Sequence, residues 1–131
     1  MASVDLQACE SKLREGFLRG RRAFEQANPG ASLRVTATHR AVSEQQVLWA
    51  RGRTEPGLIV TQVDGIKVLS NHNYFPSRAI DFCVTWGGKV SWVAEEYDLV
   101  GPYMEAEGLV WGGRWKSFPD RPHVELPPNG S

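Results

Sequence analysis

Apolar positions recur at helical spacing between residues 6 and 28. Leu6, Cys9, Leu13, Phe17, Leu18, Ala23 and Phe24 share one face, and Glu, Lys and Arg fill the rest. This predicts a helix with Asp5 as its N-cap, stopped by Asn28-Pro29-Gly30. The period then changes from helical to alternating. Leu33 to Thr38 alternates and is β-prone, so a strand is expected that delivers His39 and Arg40 at its end. Ser43 to Arg51 reads as a second helix with Ser43 as N-cap and Val47, Leu48 and Ala50 turned inward. Residues 52–70 read as a long loop of the kind that often forms a functional rim. Within it, Asp64-Gly65 suits a tight turn between short strands at 58–63 and 66–69.

The second half is more broken. A strand is predicted over Ala79–Thr85, then a Gly87-Gly88 turn and a short strand around Val90–Val93. Glu95 to Glu107 reads as a helix made irregular by Gly101-Pro102, because proline lacks a backbone donor. Leu109–Trp111 is a short strand, Gly112-Gly113 a turn, and Val124–Leu126 a final strand. Helices interspersed with a mainly antiparallel sheet make the fold class α+β, with a small sheet and flanking helices.

Composition narrows the function classes. The 131 residues fit one domain, 1–131, long enough to bury its own core. Formal net charge is zero, so nothing draws the chain strongly to nucleic acid or an anionic membrane. No window approaches a membrane span, and no insertion into a membrane is expected. The first residues lack the apolar run of a signal peptide. Cys9 and Cys83 are too few for a disulfide framework and sit in no CxxC pair, so both are expected reduced.

Three residues then carry the candidate chemistry. His72 and Asp81 flank a short turn in SNHNYFPSRAIDF, and His123 sits far downstream in DRPHVEL. Two imidazoles and one carboxylate suit a three-ligand zinc site with a fourth position open to water. All three groups can be deprotonated at neutral pH, as a metal requires. Taken singly, each histidine reads as structural or merely exposed. Cys83, two residues after Asp81 and so on its strand face, is chemically able to ligate zinc but reads as a core cysteine.

Sequence blocks around these residues resemble the M15 zinc peptidases, specifically the L-alanyl-D-glutamate endopeptidases of bacteriophage endolysins. Ser70-Asn71-His72 with Ala79-Ile80-Asp81 is similar to the family's SxHxxGxAxD block. Gly108-Leu109-Val110-Trp111-Gly112-Gly113-Arg114-Trp115 with Asp120-Arg121-Pro122-His123-Val124-Glu125 is similar to its GLxWGGDWxxxxDxPHFE block. Upstream, Thr38-His39-Arg40, Glu44-Gln45, Ala50–Thr54, Pro56-Gly57 and Val60-Thr61 also match, so the resemblance covers roughly residues 33–126. The chain departs from the pattern twice. The His72–Asp81 interval is two residues longer, which predicts a bulged turn with both ligands still placed. Arg114 stands where aspartate is common.

The resemblance implies the DD-peptidase/hedgehog-like zinc peptidase fold, Zn2+ as cofactor, and His72, Asp81 and His123 as ligands. It also implies Asp120 as acid/base. Glu125 is the other candidate for that role, since on a strand it shares the face of His123. Arg40 is the candidate for stabilising an oxyanion or gripping a substrate carboxylate, with Gln45 or Glu44 orienting it. His39 points the other way if the strand continues. Ser70 is expected to hydrogen-bond near His72. Trp111 and Trp115 suit either a peptide groove or the core.

The implied substrate is the peptidoglycan stem peptide, cut between L-Ala and D-Glu by a monomeric endolysin. Such an enzyme accumulates in the host cytoplasm and reaches the periplasm and cell wall through a holin. Two other readings remain: a D-Ala-D-Ala carboxypeptidase or dipeptidase on the same scaffold, and a non-catalytic, zinc-stabilised wall-binding module. Asp120 argues against the last, since a structural site needs no base.

Overall fold

The computed structural model describes residues 2–51, 53, 59, 61 and 70–128. The strands and turn expected within 58–69 lie outside the described residues, apart from single positions. The chain folds as α+β. Helix α1 (Ser11–Ala27) leads into β1 (Ala31–Ala37), and α2 (Val42–Ala50) follows. After the 70–78 turn come β2 (Ala79–Trp86), β3 (Lys89–Val90), two short helices α3 (Ala94–Asp98) and α4 (Gly101–Glu105), β4 (Val110–Trp111) and β5 (His123–Glu125). The sheet runs β1-β2-β5-β4, with β3 also paired to β2 and every pairing within it antiparallel.

Alternation along β2 divides the sheet into two chemistries. Ile80, Phe82 and Val84 are fully buried and face α1, where Leu13, Phe17 and Phe24 meet them. The Phe17 and Phe82 rings meet at a tilt of 48°, with centroids 6.2 Å apart. Truncating such a buried ring to alanine costs roughly 3–5 kcal/mol. The intervening residues, Asp81 among them, necessarily emerge on the other face. In register, Ile80 pairs with Val124 and Asp81 with His123. The apolar layer thereby places two candidate ligands side by side.

The N-terminal helix is shorter than the apolar pattern implies. Asp5 does cap, accepting from the Gln7 amide, but it caps only a 3-10 turn at Leu6–Ala8. Cys9 is extended and bridges to Ser77, and α1 starts after it. Leu18 and Ala23 are exposed rather than in the core. Gly16 and Gly20 face inward instead, and a Cβ on Gly20 would stand 2.7 Å from the Met104 sulfur. The helix stripe is therefore partly glycine, invisible to a hydrophobicity count. Asn28 ends α1 as expected, its side-chain amide donating to the Phe24 carbonyl at 2.9 Å.

Other boundaries shift for local reasons. β1 begins two residues early because Ala31 and Ser32 pair with Trp86 and Thr85. Ser43 does not cap α2; Ala41 occupies that position. Val47 is 61% exposed, and Leu48 and Ala50 are only half-buried. The single helix expected over 95–107 is two helices parted at Leu99-Val100, with Pro102 tolerated in the first turn of α4. The strand expected to Val93 ends at Val90, and the final strand includes His123. Gly112-Gly113 forms a 3-10 turn with Arg114.

Candidate metal centre

Each candidate ligand is delivered by a different piece of backbone. Asp81 and His123 come from paired strands. His72 comes from the turn before β2, where its amide donates to Ser70 Oγ at 3.2 Å. Its carbonyl accepts from the Arg40 amide at 2.7 Å. The longer His72–Asp81 interval is absorbed between Asn73 and Ser77. Asn73 Nδ2 donates to the Arg40 carbonyl (2.8 Å), and Ser77 is pinned between Ala8 and Glu10. Asp81 stays in register with His123.

The three groups converge. His72, Asp81 and His123 each offer a ligand atom within 4.8 Å of the others. Asp81 Oδ1 lies 2.8 Å from His123 Nδ1 and 3.2 Å from His72 Nε2. The imidazole rings are 5.3 Å apart at 72°. Both histidines are buried. Cys83 is a half-buried free thiol outside this cluster and outside the apolar core face, contrary to its reading as a core residue.

Outer partners fix both rings. His72 Nδ1 lies 2.6 Å from the Thr38 carbonyl, which can only accept, so Nδ1 carries the proton. Nε2 then presents a lone pair into the cluster. It is buried and has no hydrogen-bond partner among the described residues. A metal would satisfy that orphaned nitrogen, so the donor set fits one. His123 Nε2 donates to Glu125 at 2.7 Å, which turns Nδ1 toward Asp81. Glu125 thus shares the His123 face as expected, but on the edge of the ring away from Asp81.

Electrostatics separate the carboxylates. Burial opposes ionisation of Asp81, but the hydrogen bond with His123 beside it holds its pKa well below the ordinary range. Burial also opposes charge on His123, yet hydrogen bonds to Asp81 and Glu125 push its pKa up to about 10. Asp120 Oδ2 lies 3.7 Å from His123 Nδ1, on the side where the candidate ligands meet. Burial raises the Asp120 pKa, with His123 opposing. Burial would likewise raise Glu125, but the hydrogen bond from His123 lowers it. Two carboxylates pushed in opposite directions take different roles.

The cluster floors a cleft of about 510 Å³, bordered by Arg40, Leu48, Thr61, Trp115, Phe118 and Asp120. Arg40 Nη2 approaches Asp81 Oδ2 at 3.6 Å. Its Nη1 donates to Gln45 Oε1 at 2.7 Å, and Gln45 Nε2 donates to Thr61 Oγ1 at 2.9 Å. Gln45, fully buried, is the one buried residue of α2. Of the two residues considered for orienting Arg40, Gln45 holds it. His39 lies outside the cluster against Phe75, centroids 5.2 Å apart. The tryptophans divide: Trp111 is in the core with Nε1 donating to the Arg121 carbonyl, while Trp115 walls the cleft 5.2 Å from the His123 ring. Arg114 pairs with Glu105 at 3.0 Å, away from the cleft.

Sequence reasoning missed Thr38 and Ser77 as supports of His72. Both are fully buried polar residues; Thr38 stands in the matched Thr38-His39-Arg40 block, which carries no sign of its contact with His72, and Ser77 belongs to no pattern that marks it out.

Comparisons with known proteins bear on this site. Residues 64–126 match a peptidase M15 family model described as D-alanyl-D-alanine carboxypeptidase. The chain is 38% identical over 114 residues to the Bacillus subtilis (strain 168) peptidoglycan L-alanyl-D-glutamate endopeptidase CwlK, an alignment covering 79% of this chain. It spans 65% of that relative's length. The fold is similar to the crystal structure of the Serratia marcescens L-Ala D-Glu endopeptidase ChiX. The TM-score is 0.65 at 21% identity, covering 93% of this chain and 83% of the other. The segment that matches the M15 family model is the one that carries His72, Asp81, Asp120 and His123.

Proposed function

We propose that this protein is a zinc-dependent peptidoglycan endopeptidase that cuts the stem peptide between L-Ala and D-Glu. The observation that carries the reading is the buried His72–Asp81–His123 cluster, with the outer nitrogen of each ring tied to an acceptor and Asp120 on the open side. His72, Asp81 and His123 would hold the zinc, which would supply a Lewis acid and acidify a water toward neutral pH. Asp120, its pKa raised by burial, accepts a proton at its carboxylate and passes it to the departing amine. Arg40, held by Gln45, offers its guanidinium to the oxyanion of the attacked carbonyl. Trp115 and Phe118 border the cleft with apolar surface.

The bond assignment follows the activities named for CwlK and ChiX. A second reading, a D-Ala-D-Ala carboxypeptidase, is favoured by the description of the matching family model. Digestion of purified sacculi, with the new termini identified, decides between them. New N-terminal D-Glu is the expected result, and free D-Ala would sink the endopeptidase reading. We extend the proposal to a monomer, since His72, Asp81 and His123 converge without needing a second copy. The resemblance to phage endolysins supports a lytic role, with accumulation in the host cytoplasm and release to the wall. Its test is expression with and without a holin. Lysis only with the holin supports that route, and no lysis with one overturns it.

A further inference from the structure

We infer that the N-terminal strap, Ser3 to Glu10, is a positioning element of the metal centre, acting through Thr38 and Ser77. The inference rests on the reading of His72 as a metal ligand. The orientation of the His72 ring depends on one peptide group, the Thr38 carbonyl, which accepts its Nδ1–H at 2.6 Å. That carbonyl lies beyond the last ladder pair of β1, Ala37 with Asp81, and past a bulge between Val35 and Ala37. The sheet therefore does not hold it.

The strap does. The Thr38 amide donates to the Ser3 carbonyl at 2.6 Å, and the Ser3 amide donates to the His39 carbonyl at 2.9 Å. Thr38 Oγ1 lies 3.1 Å from the carbonyls of both Ser3 and Asp5. The second lone pair of the Thr38 carbonyl faces Ser77 Oγ, 3.0 Å away. Ser77 is itself gripped by the strap, its amide donating to the Ala8 carbonyl (2.7 Å) and its carbonyl accepting from the Glu10 amide (3.0 Å). Thr38 and Ser77 are fully buried, so water offers no substitute partner. One segment thus holds both residues that aim His72. A partner that fixes a ligand imidazole typically contributes 10–100-fold in metal affinity.

Cobalt titration of the metal-free full chain, read by visible absorption, tests this alongside melting temperatures. Ser77→Ala and Thr38→Val are expected to bind Co2+ about 10–100-fold more weakly than wild type. Thr38→Ser, which keeps the hydroxyl, is expected to bind close to wild type. Leu13→Ala in the core serves as control, with a lower melting temperature and unchanged cobalt affinity. If Ser77→Ala and Thr38→Val lose melting temperature but bind cobalt as wild type does, the strap is only structural and the inference falls. Should Thr38→Val fail to fold, Ser77→Ala decides alone, because it removes one hydroxyl and no volume of consequence. Wild type that binds no cobalt overturns the metal centre and this inference together. Wild type that binds, with both variants unaffected, overturns this inference only.

Discussion

Two carboxylates border His123 from opposite edges of its ring. Glu125 takes the Nε2 edge at 2.7 Å, and Asp120 stands 3.7 Å from Nδ1. Under the proposed function Glu125 holds the ring and Asp120 transfers the proton. Asp120→Asn is expected to lower kcat by about 10²–10⁴-fold with metal content retained. Glu125→Gln is expected to weaken metal binding by about tenfold and to keep turnover at saturating zinc. Sacculus hydrolysis with parallel metal analysis checks both. Normal turnover in Asp120→Asn, with loss in a fully metal-loaded Glu125→Gln, would exchange the two roles. Arg40 follows the same logic at one remove, since its aim depends on the buried amide of Gln45.

Among the elements, the segment from β4 to β5 does the most positioning. The Asp120 amide donates to the Gly112 carbonyl at 2.9 Å, which ties Asp120 back to the 3-10 turn. A Cβ on Gly112 would overlap the Asp120 carbonyl oxygen, a backbone atom that cannot swing aside. Gly112→Ala is therefore expected to cost about 1–3 kcal/mol of stability and to displace Asp120. Gly20→Ala is the matched control, because its methyl meets the flexible Met104 side chain far from the cleft. Denaturant unfolding and kcat measured together should show both variants destabilised and only Gly112→Ala slowed beyond its folded fraction. Helix α2 shows why element type and orientation separate. Its position was readable in SEQQVLWAR, but its buried face is set by the Gln45 hydrogen bonds and not by Val47.

Over the whole molecule, the apolar layer between α1 and the sheet supports a polar face that holds the site, and the strap joins the two. Cys9 sits in that strap, and burial raises its thiol pKa from 9.0 to about 11. A raised thiol pKa favours the folded state fully below the unfolded value, and that advantage is lost as pH rises through about 11. The shift corresponds to about 3 kcal/mol at most. Denaturant midpoints at pH 8 and pH 10.5 are expected to fall more for wild type than for Cys9→Ala, and an equal fall in both would refute the assignment. No helix among the described residues is long and apolar enough to cross a membrane. The alternation of Ala79–Thr85 and the ligand residue types were legible in the chain itself, because period and donor chemistry are local properties. They determined the α+β class, the strand that carries Asp81, and the candidates His72, Asp81 and His123. Tertiary structure alone decided which face of α1 is buried, since Gly16 and Gly20 carry no apolar signal. It also decided that Glu125 bonds the far edge of the His123 ring while Asp120 faces the candidate ligands, and that Ser3, Thr38 and Ser77 converge behind His72. The last of these depends on hydrogen bonds between residues more than thirty positions apart, and the others on how the strands and helices pack, neither of which a local pattern encodes.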